Sequence, residues 1–441
     1  MSQPVYRICN LLEKTLQGVP QGTNLGLFQL LFALVSGRFI ESRGAIFPAL
    51  NDLGLPPDAI HRSSAALRTG QWETQDLLQN WLRIVQAEGL FTPHCYAGYR
   101  PVVCDLTGFR RPQLQNNPAK HYVAEAGKAL PAIVVGIAAT VGTVGNTRLA
   151  LPRFLTRWQP GDTREAQVQT RLMEQAGKTL APEEVAVFDA GFSLAEVRNL
   201  TPRFVVRLAK NATMRRNFLP EYKGQGCYPK YGETVRPLAR SHAGNQIQAS
   251  APDSIFTWQD RQAGNIDLHA HVWKEVVLPD EKPGAASVTV VAIFDPRYKD
   301  PLLLATNLEV TADVLWCLYR DRWAVEHLPL AGKPMLGCGQ AFVFGEQSRL
   351  RLPELALLCG NILSYAAATS AAVATGFWDR VCRATCGRLR RVLNRLHFSE
   401  LPALGEQLRK KASVTSHLAT GVEGHRRQKA GSPGQGRLQP A

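Results

Sequence analysis

Between Pro101 and Leu208 the chain alternates apolar runs with turns in an order that few folds accept. Pro101-Val-Val-Cys-Asp105-Leu-Thr107 is a short apolar run with a carboxylate at or near its end, the pattern of a strand buried on both faces. Ala132 to Val144 and Thr147 to Leu155 are two more strands, and Gly145-Asn146 between them predicts a hairpin turn. Arg164 to Leu180 has helical spacing, bounded by Pro160-Gly161 and Pro182. Glu184-Val-Ala-Val-Phe-Asp189 is a second apolar run ending in a carboxylate. Ser193 can cap a helix from Leu194 to Asn199, and Arg203 to Leu208 is a further strand. Strand, strand, strand, helix, strand, helix, strand predicts an α/β chain with a mixed five-stranded sheet and flanking helices.

The flanks differ in character. Residues 1–98 read as an α-helical region. Leu27 to Val35 is apolar without strand alternation, Ala45 to Leu53 follows Ser42-Arg-Gly44, and Gly54-Leu-Pro-Pro57 precedes a helix that Asp58 can cap, running through Leu67. Helix, Gly/Pro turn, helix is compatible equally with a DNA-reading helix-turn-helix, which would put Arg62, Ser63 and Arg68 on or near its recognition helix, and with a plain helical hairpin. Trp72 to Val85 reads as one more amphipathic helix. Residues 99–210 hold the first part of the core, and residues 211–300 read as a β-rich insertion, with Ile266 to Trp273 alternating as a half-buried strand does. Residues 301–378 return to the core through a strand at Leu302 to Leu308 and a helix capped by Thr311. Residues 379–441 form a basic C-terminal region and a low-complexity tail, where disorder is expected from Gly421.

The net charge is +15, and it is unevenly placed. Arg380 to Arg395 holds six Arg and no acid; from Arg409 onward seven basic residues stand against Glu423 alone. Such an excess favours a polyanionic partner, most simply nucleic acid. Nine Cys are scattered without a C-x2-C pair, which argues against a zinc ribbon and suits a reducing cytoplasm. The N-terminus does not read as a secretory signal. Leu355 to Phe377 is apolar but interrupted by Asn361, Ser364, Tyr365 and Thr369, so it predicts a buried helix and no membrane span.

Tyr319, Arg322, Glu326 and Lys333 stand at helical intervals in Tyr319-Arg-Asp-Arg-Trp-Ala-Val-Glu-His-Leu-Pro-Leu-Ala-Gly-Lys333. One carboxylate among a phenol, a guanidinium and an ammonium suits an anionic ligand with a metal. The spacing Y-x2-R-x3-E-x6-K is the signature of the insertion-sequence transposases of the IS4-type DDE class, and this chain resembles them. By element order the resemblance covers roughly residues 100–340, and by motif the three acidic patches. It implies a ribonuclease-H-like core, in which the first and fourth strands are neighbours, with a β-strand insertion before the Glu-bearing helix. It also implies Asp105, Asp189 and Glu326 as catalytic metal ligands for Mg²⁺ or Mn²⁺, two ions in all, and Tyr319, Arg322 and Lys333 as phosphate grips. Pro329 is expected to break the helix between Glu326 and Lys333.

The implied reaction is in-line phosphoryl transfer. Water attacks a phosphodiester and releases a 3′-OH, which then attacks a second phosphodiester in target DNA. The implied partner is double-stranded DNA, as terminal inverted repeats and target, bound by a homodimer in a prokaryotic, nucleoid-associated setting. Members that pass through a hairpin intermediate hold a flipped base on an aromatic in the insertion, where this chain has Trp258 and Trp273, although core packing is the commoner role for such residues. Two other readings stay open: a metal-dependent nuclease that cuts without joining, and a DNA-binding derivative without catalysis.

Overall fold

A computed structural model of the protein describes residues 3–111, 119–123, 126–159, 161–222, 224, 226–242, 244–260, 264–340, 342–374 and 376–410. The basic tail from Lys411 onward, including the stretch expected to be disordered, lies outside the described residues.

The chain starts with five helices: α1 (Gln3–Thr15), α2 (Thr23–Val35), α3 (Ile46–Asp52), α4 (Pro57–Thr69) and α5 (Thr74–Glu88). The run Leu27 to Val35 is buried all round because α2 is enclosed by its neighbours, as its lack of a polar face requires. β1 (Phe91–Pro93) then leads to β2 (Arg100–Arg110), β3 (Lys120–Val123), β4 (Lys128–Val144) and β5 (Thr147–Arg157). β4 and β5 form the hairpin at Gly145-Asn146, where Gly145 takes a positive φ of 56°. α6 (Glu165–Thr179), β6 (Glu184–Phe188), α7 (Leu194–Leu200) and β7 (Phe204–Arg207) complete the order read from the sequence.

These strands lie in one mixed sheet in the order β5, β4, β2, β6, β7, with β2, β6 and β7 parallel and β4 antiparallel to both its neighbours. The residues 211–300 do not close on themselves. β8 (Met214–Arg216), β9 (Thr234–Val235), β12 (Ser254–Asp260), β13 (Ile266–Val277) and β14 (Val288–Phe294) continue the same sheet, joined to β7 through β15 (Leu302–Thr306). Among the described residues of this stretch, only β10 (Arg240–His242) and β11 (Asn245–Ile247) pair apart from it. The sheet thus has thirteen strands among the described residues.

The two faces of the sheet are covered differently. Val102 and Cys104 on β2 and Phe188 on β6 meet α6 and α7, while Val103, Ile137 and Val187 face the other way into the larger core. That larger core includes α1 to α5 and α10 (Glu346–Thr369), which packs against α1, α2, α4, α5 and the sheet. The N-terminal helices therefore share a core with the late helix instead of standing free. Asn361 on α10 ties the layers: its amide donates to Ala150 O at 2.7 Å and accepts from Trp81 Nε1 at 2.7 Å. α10 ends at Thr369, short of the expected Phe377. No helix among the described residues is long and apolar enough to cross a membrane.

After β15 come α8 (Ala312–Arg320) and α9 (Trp323–Leu330), two helices where the sequence suggests one. The break falls at Asp321-Arg322. Pro329 does not end α9; it lies inside the helix and is followed by a π-helical turn, Ala331–Met335. A proline offers no N–H to the preceding turn, and the wider π turn absorbs the misfit. The last described helix, α11 (Cys386–Asn394), is capped by Thr385, whose hydroxyl accepts from Arg388 N.

Candidate active site

Asp105 lies in the middle of β2 and not near its end, as the sequence had suggested. Its neighbour decides its position. β6 stops at Phe188, which pairs with Cys104, so Asp189 leaves the sheet level with Asp105. Each Asp accepts the next residue's backbone N–H, from Leu106 and Ala190 respectively. Arg322, at the start of α9, reaches both. Its Nη1 stands 4.0 Å from Asp105 Oδ2 and 3.6 Å from Asp189 Oδ2, and its Nη2 donates to Glu326 Oε1 at 2.6 Å. Three carboxylates from three distant parts of the chain thus surround one guanidinium, whose side chain is only 6% exposed.

The electrostatics follow from crowding. Burial pushes the Asp105 carboxyl up to about 6, Arg322 opposes the shift, and Asp189 and Glu326 add to it. Burial alone would weaken the Arg322 cation; the Tyr319 phenol and the three carboxylates outweigh it and raise its pKa. Tyr319 is buried, with the Arg322 guanidinium 5.7 Å from its ring centre, and burial raises its phenol.

Lys333 reaches the same site through the π turn. Its Nζ donates to Thr107 Oγ1 at 2.6 Å and lies 5.2 Å from the centre of the Phe109 ring. Asp105, Thr107 and Phe109 share one face of β2 by strand alternation, so one strand supplies both a carboxylate and the bed for an ammonium. Burial lowers Lys333 to about 8, and Asp105 opposes that. All four residues of the Y-R-E-K stretch are therefore gathered beside Asp105 and Asp189, with Glu326 the most open of the three acids, its side chain 48% exposed.

Among the described residues no group of three His, Cys, Asp or Glu side chains stands as a ready-made metal cluster. The donor set still fits Mg²⁺ or Mn²⁺: it is all carboxylate oxygen, and three anions already converge on a cation, the Arg322 guanidinium. The weakened acidity of Asp105 has a cost that can be measured. Its folded-state value of about 6 lies above the ordinary 3.8, so proton binding contributes stability below about pH 4 that is lost as pH rises through about 6. Asp105→Asn cannot ionise. It is expected to melt about 2 °C above the parent at pH 8 without divalent ions and to match it at pH 4, as read by scanning calorimetry.

The sequence left two aromatics unnoticed. Trp323 is 41% exposed and Tyr298 is 53% exposed, and with Trp316, Arg207, Lys210 and Tyr319, whose ring the Arg322 guanidinium approaches, they line a groove of about 340 Å³. The signal was present: Trp323 follows Arg322 directly, and Tyr298 stands between Arg297 and Lys299. Trp273, by contrast, is fully buried and its indole N–H donates to Ala251 O, which makes it a core residue. Trp258 is partly buried against the core, beside Phe256. His269 and His271 pack on the Phe294 ring.

In the helical region Arg68 is exposed and Arg62 half-buried on α4. Ser63 points inward, donating to Gln29 Oε1 and Ala59 O, and is a packing residue. In the basic C-terminal run Arg388 pairs with Asp379 and Arg390 donates to Met335 O, so both hold the fold, whereas Arg380, Arg383, Arg391 and Arg395 are exposed. No protein-family model matches this sequence, and no curated protein matches it either.

Proposed function

We propose that the protein is a DNA transposase of the DDE class, with Asp105, Asp189 and Glu326 as its catalytic carboxylates. The observation that carries the reading is the convergence of those three acids on Arg322 from β2, the end of β6 and α9. The parallel pairing of β2 and β6, the first and fourth strands of the core order, supports a ribonuclease-H-like core. In this reading residues 211–300 are the family's insertion, most of their strands built onto the same sheet.

Asp105, Asp189 and Glu326 would hold Mg²⁺ or Mn²⁺. When bound, such ions supply a more acidic water and a counter-charge for the leaving 3′ oxygen. The chain's own residues do the rest. Arg322 neutralises the three acids until a phosphate competes for its guanidinium, which can grip two oxygens at once. Lys333, held by Thr107, offers a second cation two residues along β2 from Asp105. The groove beside Tyr319 has aromatic walls, with Arg207, Lys210 and Lys299 set against Asp295 and Asp300, and suits an unstacked base, a role for which the resemblance offered Trp258 and Trp273 beside the commoner one of core packing.

The test uses DNA from both flanks of the coding sequence, where a transposase finds its ends. With Mg²⁺ the parental chain is expected to cut at a defined position and leave a 3′-OH. Binding to those flanks without cutting in Mg²⁺ or Mn²⁺ would favour the DNA-binding derivative and sink the enzyme. Affinity should also fall steeply with salt, since Lys and Arg contacts to phosphates release counterions. Truncation after Leu408 removes seven basic residues and Glu423. The plot of log K against log[salt] is expected to flatten, with specific cleavage retained at low salt. An unchanged slope would make the tail a bystander.

A further inference from the structure

Three consecutive residues at the break between α8 and α9 are ion-paired in three directions. Arg320 pairs with Asp260 of β12 at 3.1 Å, Arg322 holds the three carboxylates, and Asp321 between them points into the protein. Asp321 has no exposed side-chain surface. Its Oδ2 accepts from His94 Nδ1 at 2.7 Å and from the Tyr96 hydroxyl at 3.0 Å, and its Oδ1 lies 3.5 Å from Arg148 Nε. The same His94 Nδ1 also lies 3.2 Å from the Tyr96 hydroxyl, so the three groups form one cluster. Burial, then the Asp321 charge, raises the Tyr96 phenol, which keeps it a donor.

The partners are themselves fixed. His94 and Tyr96 belong to a strap joining α5 to β2. β1 pairs with the end of β4, His94 N donates to Val141 O, and Tyr96 and Tyr99 exchange backbone hydrogen bonds around a tight turn with Ala97 and Gly98 at positive φ. Arg148 stands on β5, one residue past the hairpin's first paired position. The carboxylate is thus gripped by the strap and the sheet together.

We propose that Asp321 is a positioning residue: His94, Tyr96 and Arg148 anchor it so that α9 begins where Arg322 and Glu326 face Asp105 and Asp189. A buried carboxylate with this many polar partners is seldom more stable than an apolar side chain of the same size, so geometry, not stability, is what it secures. The inference rests on the reading of Arg322 and Glu326 as reaction-centre residues. It adds a buried set of groups outside the Y-R-E-K spacing, and it links the helical N-terminal region to that centre through one short strap.

The experiment uses the full chain with Asp321→Asn, His94→Ala, His94→Asn and, as the mildest change, Tyr96→Phe. Asn places an amide N–H close to the position of the imidazole Nδ1–H. Amide hydrogen exchange over residues 321–335 is expected to speed up about tenfold or more in Asp321→Asn and His94→Ala, with α2 and α10 unchanged, and to recover in His94→Asn. Single-turnover cleavage of flank DNA should slow by about 10- to 100-fold in the same two variants, with DNA affinity within about twofold of the parent and the rate rescued by His94→Asn. Unchanged exchange over 321–335 overturns the proposal, as does faster exchange with a parental cleavage rate. If the parental chain cuts no DNA, the proposed function fails, and the exchange measurement still decides whether Asp321 anchors α9. Should Asp321→Asn not fold, Tyr96→Phe and the His94 pair decide the same point.

Discussion

Asp105→Asn, Asp189→Asn and Glu326→Gln are each expected to lower single-turnover cleavage by about 10³-fold or more, with DNA affinity within about threefold of the parent. Each change keeps the side chain's size and removes one anion from around Arg322. Because the three acids act as one unit, a double variant should be little slower than a single one. Glu326 is the sharpest case. It is the most exposed of the three and, among the described residues, makes its side-chain ion pair only with Arg322, so Glu326→Gln should fold and melt like the parent. Cleavage by Glu326→Gln within about tenfold of the parental rate would remove it from the site.

Arg322 is expected to show the second-largest effect, and in two measurements at once. Arg322→Ala should cut about 100-fold more slowly, while Arg322→Lys should lose about tenfold, since an ammonium cannot hold a phosphate in two parallel bonds. The structure adds a consequence for stability. Removing a guanidinium that is 6% exposed leaves three carboxylates facing one another. Arg322→Ala should therefore melt below the parent without divalent ions and regain much of the loss when Mn²⁺ is added. A lower melting point that Mn²⁺ does not restore would make Arg322 an ordinary structural ion pair. Lys333→Ala is expected to slow cleavage less than Arg322→Ala, because Lys333 is already engaged by Thr107 and touches none of the acids within ion-pair distance.

Much of the arrangement was legible in the chain because it is local. The apolar run from Pro101 to Thr107 and the two apolar runs around Gly145-Asn146 are properties of neighbouring residues, and the strands form where those patterns lie. The Y-R-E-K spacing and the two Asp-terminated runs pointed to residues that the fold brings together around Arg322. What stayed hidden depends on contacts across the sequence. Asp105 reads as a strand-end residue, yet β4 pairs with β2 as far as Arg110 and carries the strand on past it. The break at Asp321-Arg322 has no Gly or Pro to announce it; it accompanies the burial of Asp321 against His94, a residue 227 positions away. Pro329 announced a break that the π turn after it made unnecessary. The insertion read as a separate β region because its link to the core, β14 with β15, joins strands that the periodicity treats alike. Trp273 was singled out for its type, but only the packed structure distinguishes a core indole from the exposed Trp323.

The most direct measurement is the fate of the cut end. Flank DNA labelled on the strand that ends in the freed 3′-OH is incubated with the full chain, Mg²⁺ and a supercoiled target plasmid, and the products are sequenced across the junctions. The expected result is label joined covalently through its 3′ end to target DNA, absent with Asp105→Asn and with Glu326→Gln. Cleavage by the parental chain with no joined product at any target or divalent ion would contradict the transposase and leave a nuclease in its place.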